Sequence, residues 1–472
     1  MSFRATRTLA GIGFAAVAGL AACGGAGSPG SGASSTSAPP ATLNLLVSDT
    51  PSSKITVLSF QIQITAAVLQ PGNVSILPKP VTVDLAQLVA DTGFLASSVV
   101  DSATYTSLDL SYANPKVTLL NNTGAAISAH GQSCAAGATC TYTPPLNNAT
   151  LSISNGVFPL TLTASSSTGI NMDLSIPDLL QSDLSISFAN GTSVNLSLLG
   201  SGPVRIDDVL GTVTSVNGTQ VNLTTAFGDS LVLAENSAST YQFPTSVCPT
   251  AAASCITSGQ VVALDASLNG DGTLLIDSMS YLGNSGASLI RALVLSGASG
   301  STPSAQLLLL HGFNVSSLSP GEVATVTFGA DAAYSVATAA SPTIPNASFA
   351  SAADLLPGQE LIVGVGSDLV ASSTPSFTTT AVYLQSSQVI GDIALVETTN
   401  SALMIDTLTG LFTASGLHIQ AIDVKADTDT TLVGFGALSA LNPGELIVAK
   451  GPLLNVPGRA PAIAAVQIRA LP

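Results

Sequence analysis

The residues of this 472-residue chain that could do chemistry are three histidines, 27 carboxylates and five cysteines. His130, His311 and His418 are widely separated and fall in three different predicted units. A serine nucleophile needs its histidine and carboxylate within hydrogen-bond reach, and the sequence contains neither a Gly-x-Ser-x-Gly elbow nor a His-Glu-x-x-His pair. Two carboxylates could hydrolyse a glycoside only by converging in space. The chain has no Trp and only 7 Tyr and 14 Phe, which is little aromatic platform for a sugar. The reading is therefore non-enzymatic.

Oxygen ligands come close together in Asn269-Gly270-Asp271-Gly272 and in Asp423-Val424-Lys425-Ala426-Asp427-Thr428-Asp429. Neither is the 12-residue calcium loop with its closing Glu. Asn269, Asp271, Asp427 and Asp429 stand as weak calcium candidates beside the plainer reading that they are strand-connecting turns. Gly364-Val365-Gly366 and Gly434-Phe435-Gly436 lack the third glycine and following helix of a dinucleotide loop, so no cofactor is expected.

Four cysteines form two close pairs, Cys134 with Cys140 and Cys248 with Cys255. In an exported chain an even set reads as disulfides. Three pairings are combinatorially open, and the short loops favour the local one, worth roughly 2 to 3 kcal/mol each in the chain-entropy model.

Export is the reading of residues 1–22. Arg4 and Arg7 precede an apolar run from Leu9 to Ala22 that is shorter than the ~20 residues a membrane helix takes. Leu20-Ala21-Ala22-Cys23 resembles the bacterial lipobox. That resemblance implies a signal peptide ending at Ala22 and a diacylglycerol thioether on Cys23. Two acyl chains anchor stably where one does not. Gly24 follows the cysteine where an inner-membrane retention signal would have Asp, so the resemblance implies the outer membrane, on its periplasmic or cell-surface side. Residues 23–41 are Gly, Ser, Ala and Pro, a flexible tether.

Hydrophobic residues make up 46% of the chain and charged ones only 8%, so solvated faces must be built from Ser, Thr, Asn and Gly. Loss of Arg4 and Arg7 with the leader takes the basic residues from 11 to 9, against 27 acidic ones, a formal charge of −18. Such a surface repels phosphate backbones and excludes nucleic acid as a partner. The partners left are the membrane, through the anchor, and an envelope protein or polysaccharide.

The composition and alternation predict an all-β chain. Strands are expected at Leu43 to Ser48, Ile55 to Ile64, Val81 to Leu85, Tyr105 to Tyr112, Lys116 to Leu120, Val157 to Thr163 and Asp183 to Phe188, with a short helical piece from Leu85 to Val89. Asn121 to Asn148 reads as a hairpin insertion. The blocks Leu45-Leu46-Val47-Ser48-Asp49-Thr50-Pro51, Val83-Asp84-Leu85-Ala86-Gln87-Leu88 and Tyr105-Thr106-Ser107-Leu108-Asp109-Leu110 resemble the family called domain of unknown function 4382. This implies an N-terminal β-sandwich over residues 42–206, with no established activity. One departure is Ala103-Thr104 where that family has Gly before the Tyr.

Beyond Pro203 the chain repeats. Alternating runs flank Asn217-Gly218, a hairpin signal, and a Gly-[Gln/Glu] step recurs at Gly259-Gln260, Pro357-Gly358-Gln359 and Pro443-Gly444-Glu445, with an extra Pro320-Gly321-Glu322. These blocks resemble the small β-barrel family called domain of unknown function 5666, implying repeats over 207–287, 288–386 and 387–472. Each is long enough to bury its own core, so the three are expected to be separable folding units. The function expected is a lipid-anchored envelope protein that binds or scaffolds. The alternatives are a carbohydrate-processing envelope enzyme and a transmembrane barrel or transport component, the latter short of the aromatic girdles a barrel needs.

Overall fold

A computed structural model of the chain describes residues 39–50, 56–90, 92–200, 202–226, 230–337, 342–372, 374–414 and 417–471. The leader, Cys23 and the tether as far as residue 38 lie outside the described residues. With 54% strand and 6% helix the chain is all-β. Residues Pro39–Pro472 form one compact unit.

The N-terminal part is two sheets on one core. Strand Ala41–Thr50 sits between Ser167–Ser175, which it pairs in parallel, and Gly93–Val100; Val194–Leu198 completes this four-stranded sheet. The opposing sheet is built on the long pair Thr56–Gln70 and Ser107–Leu120. Period-two alternation turns Leu43, Leu45 and Val47 from the first sheet onto Phe60, Ile62 and Ile64 from the second, all fully buried in one cluster.

Four expected strands differ. Tyr105 to Tyr112 and Lys116 to Leu120 are joined in one strand, Ser107–Leu120, which takes up Asn114-Pro115 as a bulge with Asn114 at φ 51. Val157 to Thr163 keeps only the two-residue strand Leu160–Thr161, since Pro159 has no N–H for a ladder. Asp183 to Phe188 buries Leu184, Ile186 and Phe188 as alternation predicts, yet Ile186 makes only isolated bridges. The alternation marks burial correctly, but burial alone does not supply a partner strand.

The remaining chain repeats one strand plan three times. Val204–Asn217, Gln220–Thr225, Ser230–Ala234, Gln260–Leu268 and Leu274–Asn284 form a barrel in which the third strand runs parallel to the fifth and the fourth returns beside the first. Leu289–Val294, Ser304–Phe313, Val323–Val336, Glu360–Gly364 and Ser376–Leu384 close in the same order, 1-2-3-5-4. In the last, eight-stranded sheet the fifth strand is broken. Ala462–Ala464 runs parallel to Ile422–Lys425, while Gln467–Ala470 pairs with Leu446–Gly451 beside Ser387–Glu397. This cyclic order is that of small Greek-key barrels. The first of these strands begins at Val204, three residues before the expected start of the repeat at 207. The hairpin signal at Asn217-Gly218 marks a real hairpin, but Asn217 pairs with Gln220, so its two-residue loop is Gly218-Thr219.

The recurring glycine step has a common geometry. Gly259, Gly321, Gly358 and Gly444 have φ of 88°, 81°, 85° and 88°. Each is the third residue of a turn whose fourth N–H donates to the first carbonyl, at 3.2 to 3.3 Å, the type II arrangement that asks for Gly at that place. The Gln or Glu that follows folds back and accepts the N–H of the first turn residue: Thr257 to Gln260, Ser319 to Glu322, Leu356 to Gln359, Asn442 to Glu445. Every glycine N–H donates into a neighbouring strand, to the carbonyls of Val213, Leu309, Val294 and Ile393 respectively.

Each repeat has its own apolar core, but the expectation of separable units meets shared ones. Leu58 and Leu120 of the sandwich pack with Leu293 and Leu308 of the middle barrel and with Leu411 of the short helix Gly410–Ala414 in the last repeat. Val89 and Ala90 pack on Val448. Lys450, wholly buried, bonds Asp207 of the first barrel at 2.9 Å. Among the described residues no helix is long and apolar enough to cross a membrane.

Candidate functional site

Where sandwich, middle barrel and last sheet meet, a cleft of about 480 Å³ opens. Its apolar lining includes Leu58, Ile176, Leu293, Leu408, Leu411 and Phe412. The charged residues that line it, among those described, are all acidic: Asp49, Glu360 and Asp392.

Asp49 ends the central strand of the four-stranded sheet and is fully buried; one carboxylate oxygen accepts the Ile176 N–H at 3.0 Å. Glu360 stands directly after the Gly358-Gln359 turn. Its carboxylate takes two bonds from the Arg291 guanidinium, at 2.6 and 3.0 Å, in a charge-assisted pair. Gln388 accepts the Ala90 N–H at 2.8 Å and donates to the Gln87 carbonyl, joining the last sheet to the sandwich at the cleft wall. Thr56 accepts the N–H of Gly410 and the Asn122 amide, each at 3.2 Å.

Asp392 differs. It lies half-buried on strand Ser387–Glu397, directly opposite Asp406 of strand Ala402–Asp406. Like charges facing across a strand pair are unfavourable. Asp406 accepts the Thr407 hydroxyl at 3.1 Å, whereas the Asp392 side chain has no hydrogen bond or ion pair among the described residues.

The residues singled out from sequence lie elsewhere. Cys134–Cys140 and Cys248–Cys255 are disulfides, the first stapling the hairpin of Ile127–Ala129 and Gln132–Cys134 to strand Thr139–Tyr142. His130, at φ 49, and Gly131, at φ 78, are the two loop residues of that hairpin. His311 sits in a strand of the middle barrel, where burial, and then the nearby Arg291 charge, push its pKa down to about 4. His418, at φ 47, lies in the last repeat beside the Thr413 carbonyl. The three histidines thus stay in separate units.

The calcium candidates are turn-builders. Asp271 accepts the Thr273 N–H, Asn269 exchanges backbone bonds around the same turn, and Asp427 accepts the Asp429 N–H and the Thr430 hydroxyl. No group of three or more His, Cys, Asp or Glu side chains that could hold a metal ion occurs among the described residues. Asp49, Ala86, Gln87 and Gly358 fall in blocks that the sequence singles out, but nothing there brings them together into a cleft. Asp392 reads there as an ordinary outward position of an alternating strand, and nothing local ties it to Asp49 or Glu360.

No family model matches the chain, and no curated protein does. Among solved structures it is similar to Drosophila Unr CSD456, at 10% identity over 56% of this chain and 97% of that one, with a TM-score of 0.13. It is also similar to the pilus adhesin SpaC from Lactobacillus rhamnosus GG, at 12% identity over 74% and 44% of the two chains, with a TM-score of 0.09. At such TM-scores neither likeness bears on fold or function.

Proposed function

We propose that the chain is a lipid-anchored cell-envelope protein of the outer membrane that works by binding, presenting its β-body through the Gly/Ser/Pro-rich segment that follows Cys23. The observation that carries the binding half is the commitment of four of the cleft's polar groups: Asp49, Glu360, Gln87 and Gln388 all hold neighbouring elements together. Groups locked this way shape a preformed concave site, whereas general acid–base chemistry needs groups free to take and release protons. The anchoring half rests on the Leu20-Ala21-Ala22-Cys23 resemblance, and two disulfides fit an oxidising compartment.

Cys23→Ser should abolish lipid labelling and release the protein from membranes or leave it unprocessed; normal lipid incorporation by the mutant would remove the anchor. Affinity capture from envelope extracts with the leaderless protein should recover a specific protein or polysaccharide, while hydrolase panels stay at background. Robust hydrolysis abolished by Asp392→Asn would replace the binding reading with an enzymatic one.

A further inference from the structure

We propose that the cleft at the three-way junction takes a small organic cation, its ammonium head on Asp392 and a short apolar arm against Leu293, Leu408 and Leu411. The inference deepens the binding reading and rests on it. Three features of the cleft converge on this ligand class. Its charged lining among the described residues is acidic throughout, and the acidity of the whole chain adds to the field that draws a cation in.

The three carboxylates are also unequal. Glu360 is neutralised by Arg291 and Asp49 holds the Ile176 N–H, while the Asp392 carboxylate makes no hydrogen bond or ion pair among the described residues. Its direct opposition to Asp406 is an unfavourable arrangement in the empty protein. A cation placed on Asp392 offsets that repulsion, while an anion would make it worse. The third feature is size and lining. A volume of about 480 Å³ lies within the range of small-molecule sites, and leucines in the same cleft as the Asp392 carboxylate match an amine carrying an apolar arm.

The test is isothermal titration of the full chain with three isosteric probes: 2-phenylethylammonium, 2-phenylethanol and 3-phenylpropionate. The ammonium should bind saturably, at least tenfold more tightly than the alcohol, and the carboxylate should give no heat. Asp392→Asn removes the like-charge opposition, so it should melt no lower than the parent while binding the ammonium at least tenfold more weakly. Leu408→Trp, which fills the cleft from another side, should also lose the ammonium. Absence of saturable ammonium binding, equal binding of the alcohol, or unchanged affinity in a folded Asp392→Asn protein would each overturn the proposal. None of these outcomes touches the wider binding reading, which fails if capture from envelope extracts recovers nothing or if the protein shows robust hydrolysis that Asp392→Asn abolishes.

Discussion

At the scale of single residues, the glycine step gives the sharpest contrast. Gly358 and Gly444 occupy the same turn position at nearly the same φ, and Ala at either pays the left-handed penalty of about 1 to 2 kcal/mol. Around Gly444 a new Cβ would meet nothing within 4 Å, but at Gly358 it would run into the Phe412 ring. Gly358→Ala should therefore lower the denaturation midpoint clearly more than Gly444→Ala, and equal losses in chemical denaturation would refute the packing account. His311 makes a second residue-scale prediction, in pH. Its folded pKa of about 4 lies below the unfolded value of 6.5, so between those values the unfolded chain binds the extra proton. Stability then falls as pH drops from 6.5 towards 4, by about 3 kcal/mol in all. Melting curves across that window should show the loss, and His311→Gln should flatten it.

The joints between β-units set the next scale. Asp207, on the first strand of the first barrel, meets Arg205 of its own strand and Lys450 of the last sheet. Burial alone would raise its pKa, but the Lys450 and Arg205 charges outweigh burial and hold the carboxyl below the usual range. A depressed folded pKa gives stability that is present above the unfolded value near 3.9 and is lost as pH falls below it. Lys450→Met strips one of the two charges from a buried carboxylate, and breaking such a pair costs about 3 kcal/mol or more. The variant should melt lower at neutral pH and begin its acid loss at higher pH than the parent. An unshifted acid limb would show that Lys450 does not hold Asp207 ionised. Much at this scale was legible in sequence, because turns are local. The Pro-Gly-Glu steps and the short disulfide loops carry their geometry within a few residues. The parallel pairing of Ala41–Thr50 with Ser167–Ser175 was not legible, since over a hundred residues intervene. Ile170, Met172 and Leu174 do alternate there, yet alternation names the buried face and not the neighbour. The cleft stayed hidden for the same reason, its walls being three distant pieces of chain.

For the whole molecule the question is whether four β-units hang like beads or unfold together. Repetition of the strand plan argues for beads, since each repeat owns a core. The joints argue the other way. Deleting residues 387–472 would remove Lys450 from Asp207 and Val448 from Val89 and Ala90. It would also take the Gln467 amide from the Ala90 carbonyl and the Arg469 guanidinium from the Val89 carbonyl. Each buried partner left unsatisfied costs about 1 to 3 kcal/mol, and these losses fall on the sandwich and the first barrel rather than on the deleted part. A chain of independent beads would lose one calorimetric transition and keep the rest in place. A fused body should unfold in a single transition when complete, and the truncated chain, residues 1–386, should melt well below it. Scanning calorimetry on the two proteins separates these outcomes: a truncated chain with the parent's melting temperature would show that the joints contribute little and that the cleft is no more than a gap between neighbours. A marked drop would show that the elements lining the cleft are held by the same contacts that hold the molecule, which is what a preformed binding site requires.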